Sequence, residues 1–443
     1  MTDPRGFLTI QRRVVPYRPV DRRRADWADV NDAASTAIVR EQARRCMDCG
    51  VPFCHTGCPL GNLIPDWNDL VERDRFADAI DRLHATNNFP EFTGKLCPAP
   101  CEEACVLTLN DDPVTIKQIE MAIIDRAFAD GRVVPLPPRS ETARSVAVIG
   151  SGPAGLTAAQ QLRRAGHRVT VYERDDRLGG LLRYGIPDFK IGKDLVDRRL
   201  EQLRAEGVAF VTATAVEPGA VDADAVIVAT GAQRHRDLAL PGRELAGIEF
   251  AMRYLTACNR RVAGVAAEPI VAAGKRVVII GGGDTSADCL GSAIREKAAS
   301  VVEIAHGPHP PTVREPLRTW PEWPRLLRTY AAHLEGGDRR FGLEPTAFEG
   351  RNGSVSGVRL RPVEFPRYDG IGRRPAPVVT AEEFVLEAEL VLLAVGFHHD
   401  PPSATLENVF PAGDCVLGAD LVVTAIAEGR RAAAEAGAYL ARL

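Results

Sequence analysis

Cysteine is the residue whose spacing in this chain most constrains chemistry. Residues 46–58 read Cys46-Met-Asp-Cys49-Gly-Val-Pro-Phe-Cys54-His-Thr-Gly-Cys58, and Pro59 follows the last thiol. Cys97, Cys101 and Cys105 form a second group, so seven of the ten cysteines lie in the first 105 residues, while Cys258, Cys289 and Cys415 are scattered. Thiols a few residues apart can converge on one small inorganic centre, as in iron–sulfur proteins, where a cysteine before proline can ligate the other of two clusters. Cys58-Pro59 and Cys97-Pro98 have that form, which points to two interleaved clusters. Two 4Fe–4S clusters need about eight protein ligands, and seven cysteines leave one to be found. The competing readings are a zinc site, which takes one closed set of ligands, and a disulfide framework, typical of small secreted chains; the spacing favours clusters.

The second chemistry is phosphate binding. A strand is expected at 146–149, then Gly150-Ser-Gly152-Pro153-Ala154-Gly155 opening a helix over 156–165, then a strand over 168–173. In that setting Gly150 permits the tight turn, Gly152 lets the backbone approach a pyrophosphate and Gly155 lets the helix pack on the strand, while the helix N-terminus attracts the phosphates. Glu173, closing the second strand, is placed to accept from ribose hydroxyls. The pattern recurs as a strand at 276–280, Gly281-Gly-Gly283-Asp284-Thr285-Ser286, a helix to about 297 and a strand at 301–305, with Ser286 in place of the third glycine. No acid follows this last strand; His306 and His309 stand there, which leaves NAD against NADP open. Near the C-terminus a strand over 409–414 ends in Gly413-Asp414, an acid suited to a ribityl hydroxyl, and Thr424 is expected to cap a helix over 425–440.

Several elements must position these groups. A helix over 33–45 leads into the first cysteine, apolar residues recur at helical spacing over 64–83, and 116–128 is amphipathic. The proline-rich run 133–138 ends this helical region. Strands at 225–231 and 390–396 each end in glycine, as expected where a chain crosses between two nucleotide-binding units, so the second unit is inserted in the first. The expected fold is α/β: two Rossmann-like dinucleotide-binding domains, one inserted in the other (145–250 with 397–443, and 251–396), preceded by a mainly helical iron–sulfur domain at 1–138. Residues 1–32, with Arg12, Arg13, Arg18, Arg22, Arg23 and Arg24, read as an exposed arm or as a docking strip for a partner chain. The composition is 45% apolar and 26% charged with net charge −4, which implies neither nucleic acid nor an anionic membrane as partner. No signal-like segment or membrane-length apolar run is found, so a reducing cytoplasm is expected, which favours the metal reading of the thiols.

From about Arg40 onward the chain resembles the small (beta) subunits of bacterial NADPH-dependent glutamate synthase, whose module recurs in dihydropyrimidine dehydrogenase. The resemblance is carried by the seven-cysteine head, Gly150 to Gly155, Gly179-Gly180-Leu181-Leu-Arg-Tyr-Gly-Ile-Pro-Asp-Phe-Lys190, Gly281 to Thr285, Ala412-Gly-Asp414 and Asp420-Leu-Val422-Val-Thr424-Ala-Ile-Ala-Glu-Gly-Arg430. It implies that FAD is held by Gly150, Gly152, Pro153, Ala154, Gly155, Glu173, Gly180, Leu181, Gly413, Asp414, Val422 and Thr424. It implies NADPH or NADH at Gly281, Gly283, Asp284, Thr285, His306 and His309, although relatives often have an arginine just past the second strand and the nearest here is Arg314. It also supplies the eighth cluster ligand, Glu120. Cys46, Cys49, Cys54 and Cys105 would hold one 4Fe–4S cluster and Cys58, Cys97, Cys101 and Glu120 the other. The stretch between Phe397 and Phe410 is shorter than in that family, which implies thinner cover over the flavin.

The implied function is electron input. Hydride transfer between nicotinamide and flavin needs alignment and exclusion of water more than a catalytic side chain, so no catalytic residue is expected, only a helix N-terminus near Thr424 facing the flavin. The clusters would pass electrons to a glutamate synthase large subunit that makes glutamate from 2-oxoglutarate and glutamine. Two alternatives are an electron-input subunit of another reductase, for pyrimidine reduction or ferredoxin:NADP oxidoreduction, and a non-catalytic assembly subunit with impaired flavin binding. A disulfide reductase is disfavoured because Cys289 lacks a Cys-x-x-Cys partner.

Overall fold

In a computed structural model the chain is described over residues 5–32, 35–314, 320–366, 376–399, 401 and 406–443. Among the described residues the longer helices of the head are α1 (Thr36–Ala43), α2 (Ile64–Glu72), α3 (Phe76–Thr86), α4 (Pro90–Leu96) and α5 (Ile116–Ala129). Ser35 caps α1 through its side chain, and Pro65 and Pro90 sit in the first turns of α2 and α4, where no amide hydrogen is needed. The helical spacing at 64–83 resolves into two helices because Asp74 takes φ 59° between them. Ile64, Trp67, Val71, Phe76, Ile80, Leu83, Ile116, Ile119 and Ile123 bury against one another as the core of the head.

The first Rossmann sheet comprises β1 (Ser145–Ile149), β2 (Arg168–Tyr172), β3 (Ala209–Val211) and β4 (Ala225–Val228), with α6 (Pro153–Arg164) and α7 (Lys193–Ala205). The second begins with β5 (Ile248–Phe250) and α8 (Ala251–Val262), then β6 (Arg276–Ile280), α9 (Asp284–Arg295), β7 (Ser300–Ala305) and β8 (Asp338–Phe341). An antiparallel layer follows, β9 (Leu343–Arg351), β10 (Ser354–Glu364), β11 (Val378–Val379) and β12 (Phe384–Glu387), before β13 (Leu390–Leu393), β14 (Val409–Pro411) and the closing helix α10 (Val422–Leu440). The two parallel sheets run β14-β4-β1-β2-β3 and β5-β13-β6-β7-β8. The chain therefore enters the second sheet before Ile248 and returns to the first after Leu393. The two crossings run side by side: Arg236 N–H donates to Gly396 and His398 N–H to Arg234, while His235 packs between Phe250 and Phe397. The shortened 397–410 stretch lies partly outside the described residues.

Alternation along β1 sends Val146 and Val148 toward α6 and α10, and Ala147 and Ile149 to the opposite face. In the second sheet α8 and α9 cover one face, and the antiparallel layer covers the other through Phe348, Val355, Val358 and Leu360. No sequence feature noted above foretold that layer.

The N-terminal arm is a correction to the exposed-arm reading. Arg23 is buried, and its guanidinium reaches the Ala331 carbonyl and the Glu335 carboxylate, each at 3.0 Å. Val30 N–H donates to Phe189, Asp29 pairs with Lys95 of the head at 2.5 Å, and Arg295 Nε donates to the Asp26 carbonyl. The arm thus lies across the head, the 181–190 loop and the second Rossmann unit. A buried two-pronged pair, Arg199 with Glu91 at 2.6 and 2.8 Å, joins the head to α7, and Asn88 is bonded to Gln160 and Arg430.

Candidate cluster and dinucleotide sites

Each cysteine loop contains a non-glycine residue with left-handed backbone, Asp48 at φ 48° and Ala99 at φ 58°. Such turns aim consecutive amides into one concavity, and Ala99 N–H lies 3.4 Å from Cys97 Sγ. Amides of Leu60, Gly61 and Asn62 favour the Cys58 thiolate, and those of Leu107 and Val114 the Cys105 thiolate. Gly57 lets the two cysteine groups meet, since a Cβ there would stand 2.5 Å from Ala104 Cβ.

The thiols then fall around two cavities. One is lined by Cys58, Cys97, Cys101 and Glu120, together with Trp67, Ile116 and Val423. The other is lined by Cys46, Cys49, Cys54 and Cys105, together with Asn68, Leu107 and Val114. Ile64 and Ile116 line both and form an apolar wall between them. Burial pushes the thiols up, Cys46 and Cys58 to about 11 and Cys54 and Cys97 to about 12, so metal binding must displace their protons. Among the described residues no three such groups close up as a single metal ion requires. Four donors around each cavity, lined otherwise mostly by apolar side chains, fit a larger, compact centre. All ten cysteines are free, which removes the disulfide framework. Glu120 is buried, and its Oε1 accepts from Thr93 Oγ1 at 2.8 Å and Asn87 Nδ2 at 2.9 Å; burial pushes its carboxyl up to about 7.

At the first glycine loop Gly150 has φ 103°, and a Cβ there would meet the Ala229 carbonyl oxygen at 2.3 Å. A Cβ on Gly155 would lie 2.0 Å from the Gly150 oxygen, whereas one on Gly152 would meet nothing within 4 Å. Gly152 thus faces open space at the N-terminus of α6, whose first turn holds Pro153 and Ala154. Glu173 directly follows β2 and is buried. Its Oε2 accepts from the Ser151 amide at 3.1 Å and its Oε1 from the Asp175 amide at 3.0 Å, while Ser151 Oγ accepts from Gly179 N–H. Ser151 was missed because a serine inside a glycine motif carries no signal of its own. Gly180, at φ 52°, packs against Gly152, and Leu181 beside it is exposed.

Gly413, at φ 75°, packs against Ala154, and Gly429, two turns into α10, packs on the same residue's carbonyl, so Asp414 and the second turn of α10 stand at the first glycine loop. Here a second expectation is corrected. The helix begins at Val422 with Leu421 at its cap and no side-chain capping bond, so Thr424 lies within the first turn. Leu421 and Val422 pack against the head, which turns the helix start toward the Glu120 cavity.

At the second loop Gly281 has φ 153°, and a Cβ there would crowd the Ala394 oxygen at 2.4 Å and Ser286 Oγ at 2.5 Å. Gly283 is open, and Asp284 and Thr285 begin α9. Lys190 Nζ lies 2.9 Å from Asp288 and 3.6 Å from Asp284, joining the 181–190 loop to this helix. Sequence reasoning missed that link because its partners are far apart in the chain. His306 follows β7, its ring edge-on to Phe365 and 3.9 Å from Glu344. His309 packs edge-on against Phe341, and Arg314 turns away to Glu103 of the head at 3.0 Å.

Burial pushes the Asp414 carboxyl up to about 6 from 3.8. A raised carboxyl stabilises the fold below its unfolded value, and that contribution disappears as pH rises through about 6. Flavin-free Asp414→Asn is therefore expected to be more stable than wild type at pH 7, by on the order of 1–2 kcal/mol, with the difference vanishing near pH 4. Urea unfolding at both pH values checks this.

Residues 23–132 match the family described as dihydropyrimidine dehydrogenase domain II, 4Fe-4S cluster, which overturns the zinc reading, and residues 144–322 match pyridine nucleotide-disulphide oxidoreductase. The NADPH complex of FprA from Mycobacterium tuberculosis shares the fold, with TM-score 0.53 and 20% identity over 68% of this chain and 85% of that one. The chain is 51% identical to a protein named glutamate synthase [NADPH] small chain from M. tuberculosis H37Rv, over 99% of this chain and 96% of that one. It is 39% identical to the small chain of Bacillus subtilis over 99% of each. In glutamate synthase [NADH] of Saccharomyces cerevisiae the match is 41% over 98% of this chain and 22% of that protein. With the thiols around two cavities and a glycine loop on each Rossmann sheet, the chain belongs to the family of glutamate synthase small chains.

Proposed function

We propose that the chain oxidises NADPH as the electron-input subunit of a glutamate synthase, through FAD and two 4Fe–4S clusters, and feeds a separate large subunit that makes glutamate from 2-oxoglutarate and glutamine. The carrying observation is the pair of adjacent cavities, one of them also lined by Val423 from the first turn of α10. Cys58, Cys97, Cys101 and Glu120 would ligate the cluster nearer the flavin, and Cys46, Cys49, Cys54 and Cys105 the farther one. Bound flavin supplies the step between a two-electron donor and one-electron carriers.

The rest falls to the chain. The open face of Gly152 and the α6 N-terminus receive the FAD pyrophosphate, Glu173 the ribose, and Asp414 the ribityl chain. Free amides in the first turn of α10, near Thr424, favour negative charge on the reduced ring. Gly281, Gly283, Asp284 and Thr285 take the nicotinamide dinucleotide, with His306 at its 2′ end. Residues 145–250 with 397–443 and 251–396 act as the two nucleotide domains, and 1–138 as the cluster domain. In the yeast relative the matching module is 22% of a longer protein, which supports a separate chain supplying the remainder here. No described helix is long and apolar enough to cross a membrane, in keeping with work in the cytoplasm.

Anaerobic purification should give about eight iron and eight sulfide per chain, one FAD, and a co-purifying chain with an amidotransferase domain. Glu120→Ala should retain the flavin and about four iron. Colourless folded protein would support the assembly-subunit reading instead, and a pyrimidine-binding partner would assign the chain to another reductase.

A further inference from the structure

Helix α2 runs along the wall between the two cavities. Ile64 lines both, Trp67 lines the cavity of Glu120, and Asn68 lines the cavity of Cys46. These positions, three and four residues apart, share one face of the helix. Trp67 and Asn68 are both 0% exposed. Trp67 Nε1 makes no hydrogen bond among the described residues, and the Asn68 amide meets no nitrogen or oxygen partner and acts on the Cys46 thiolate, which it favours. A buried donor without an acceptor is costly, and nearly all find one.

The cavity linings indicate the acceptor. Apart from Asn68, the side chains around the Cys46 cavity are the four thiols and apolar groups. Around the other, Thr93 and Glu120 are bonded to each other and to Asn87, and Asn62 accepts from Thr86. Lys117 there is a cation and only donates, and with Glu120 Oε2 on iron in the two-cluster reading, sulfur is left as the acceptor in both.

We propose that α2 donates one hydrogen bond to each cluster, from Trp67 Nε1–H at Glu120 and from Asn68 Nδ2–H at Cys46, so that two adjacent residues tune the two potentials independently. The proposal rests on the two-cluster reading. A donor to cluster sulfur favours the reduced, more negative state, so its loss lowers the potential.

The test is a redox titration of the anaerobic holoprotein followed by electron paramagnetic resonance, with iron and sulfide measured on each sample. Trp67→Phe keeps a ring and removes the N–H; Asn68→Leu keeps the shape and removes the donor, and Asn68→Met is the fallback if leucine prevents folding. Each is expected to lower one cluster's potential, and not the same one, by about a tenfold change in the reduced-to-oxidised ratio, about 59 mV for one electron. Unmoved potentials with full iron, iron loss in Trp67→Phe, or both substitutions moving the same signal would overturn the proposal. Fewer than about eight iron in the wild type would instead remove the two-cluster reading, and the proposal with it.

Discussion

Replacing Glu335 with alanine is expected to lower the unfolding free energy by about 3–5 kcal/mol and to release the N-terminal arm to protease. Glu335 accepts from Arg23 at 3.0 Å and from both terminal nitrogens of Arg295 at 2.5 and 3.0 Å, and all three side chains are buried. Removing the acid strands two guanidinium groups away from water, where uncompensated charge is costly. Arg295 also stacks on Phe189, 3.8 Å from the ring centroid, and holds the Asp26 carbonyl. The damage should therefore spread to the arm and to the 181–190 loop. Arg23→Ala leaves the Arg295–Glu335 pair intact and should cost less while still freeing the arm. Urea unfolding with limited proteolysis separates the two, and a cost below about 1 kcal/mol for Glu335→Ala would contradict a buried ionic clamp.

The clamp bears on catalysis through geometry. Hydride transfer demands close alignment of two rings carried by two Rossmann units, and the arm contacts the second unit, the 181–190 loop and the head together. Held this way, the inserted unit resists rotation relative to the first, and the Lys190–Asp288 contact adds a second tie at the mouth of the second glycine loop.

What could be read in advance was local chemistry. Cysteine spacing pointed to thiols converging on inorganic centres because short loops leave their sulfurs few places to go, whereas the division into two sets of ligands came only from the family resemblance; each glycine of the first loop could be given its own task because its neighbours lie within a few residues or on the adjoining strand. What stayed hidden depended on distant chain. Arg23 and Glu335 are 312 residues apart, so an arginine-rich terminus without apolar periodicity looked solvated. Trp67 and Asn68 resembled ordinary helix positions, since only the assembled head shows that their polar atoms face the thiol-lined cavities. Thr424 looked like a cap by residue type, yet the packing of Leu421 and Val422 against the head starts the helix earlier. The antiparallel layer lay concealed because a half-buried strand such as 354–364 can equally be a sheet edge in either unit.

Alanine at Gly155 and alanine at Gly152 should both abolish tight flavin binding, for opposite reasons. A methyl at Gly155 would stand 2.0 Å from the Gly150 carbonyl oxygen and 3.3 Å from Ala229 Cβ. Both are backbone-anchored, so α6 must move away from β1. Overpacking of this kind costs about 1–3 kcal/mol, and the displaced helix would carry its N-terminal amides out of register with the pyrophosphate. At Gly152 the backbone is extended, φ −69° and ψ 178°, a conformation alanine adopts freely, and the methyl would meet nothing within 4 Å. Flavin-free Gly152→Ala should therefore unfold within about 0.5 kcal/mol of wild type yet lose FAD affinity by roughly a hundredfold, since the methyl would fill the approach used by the phosphates. Unfolding curves of the flavin-free proteins and FAD titration by fluorescence give both quantities. If Gly152→Ala bound FAD normally, the open face at Gly152 could not be the pyrophosphate cradle, whatever Gly155→Ala did.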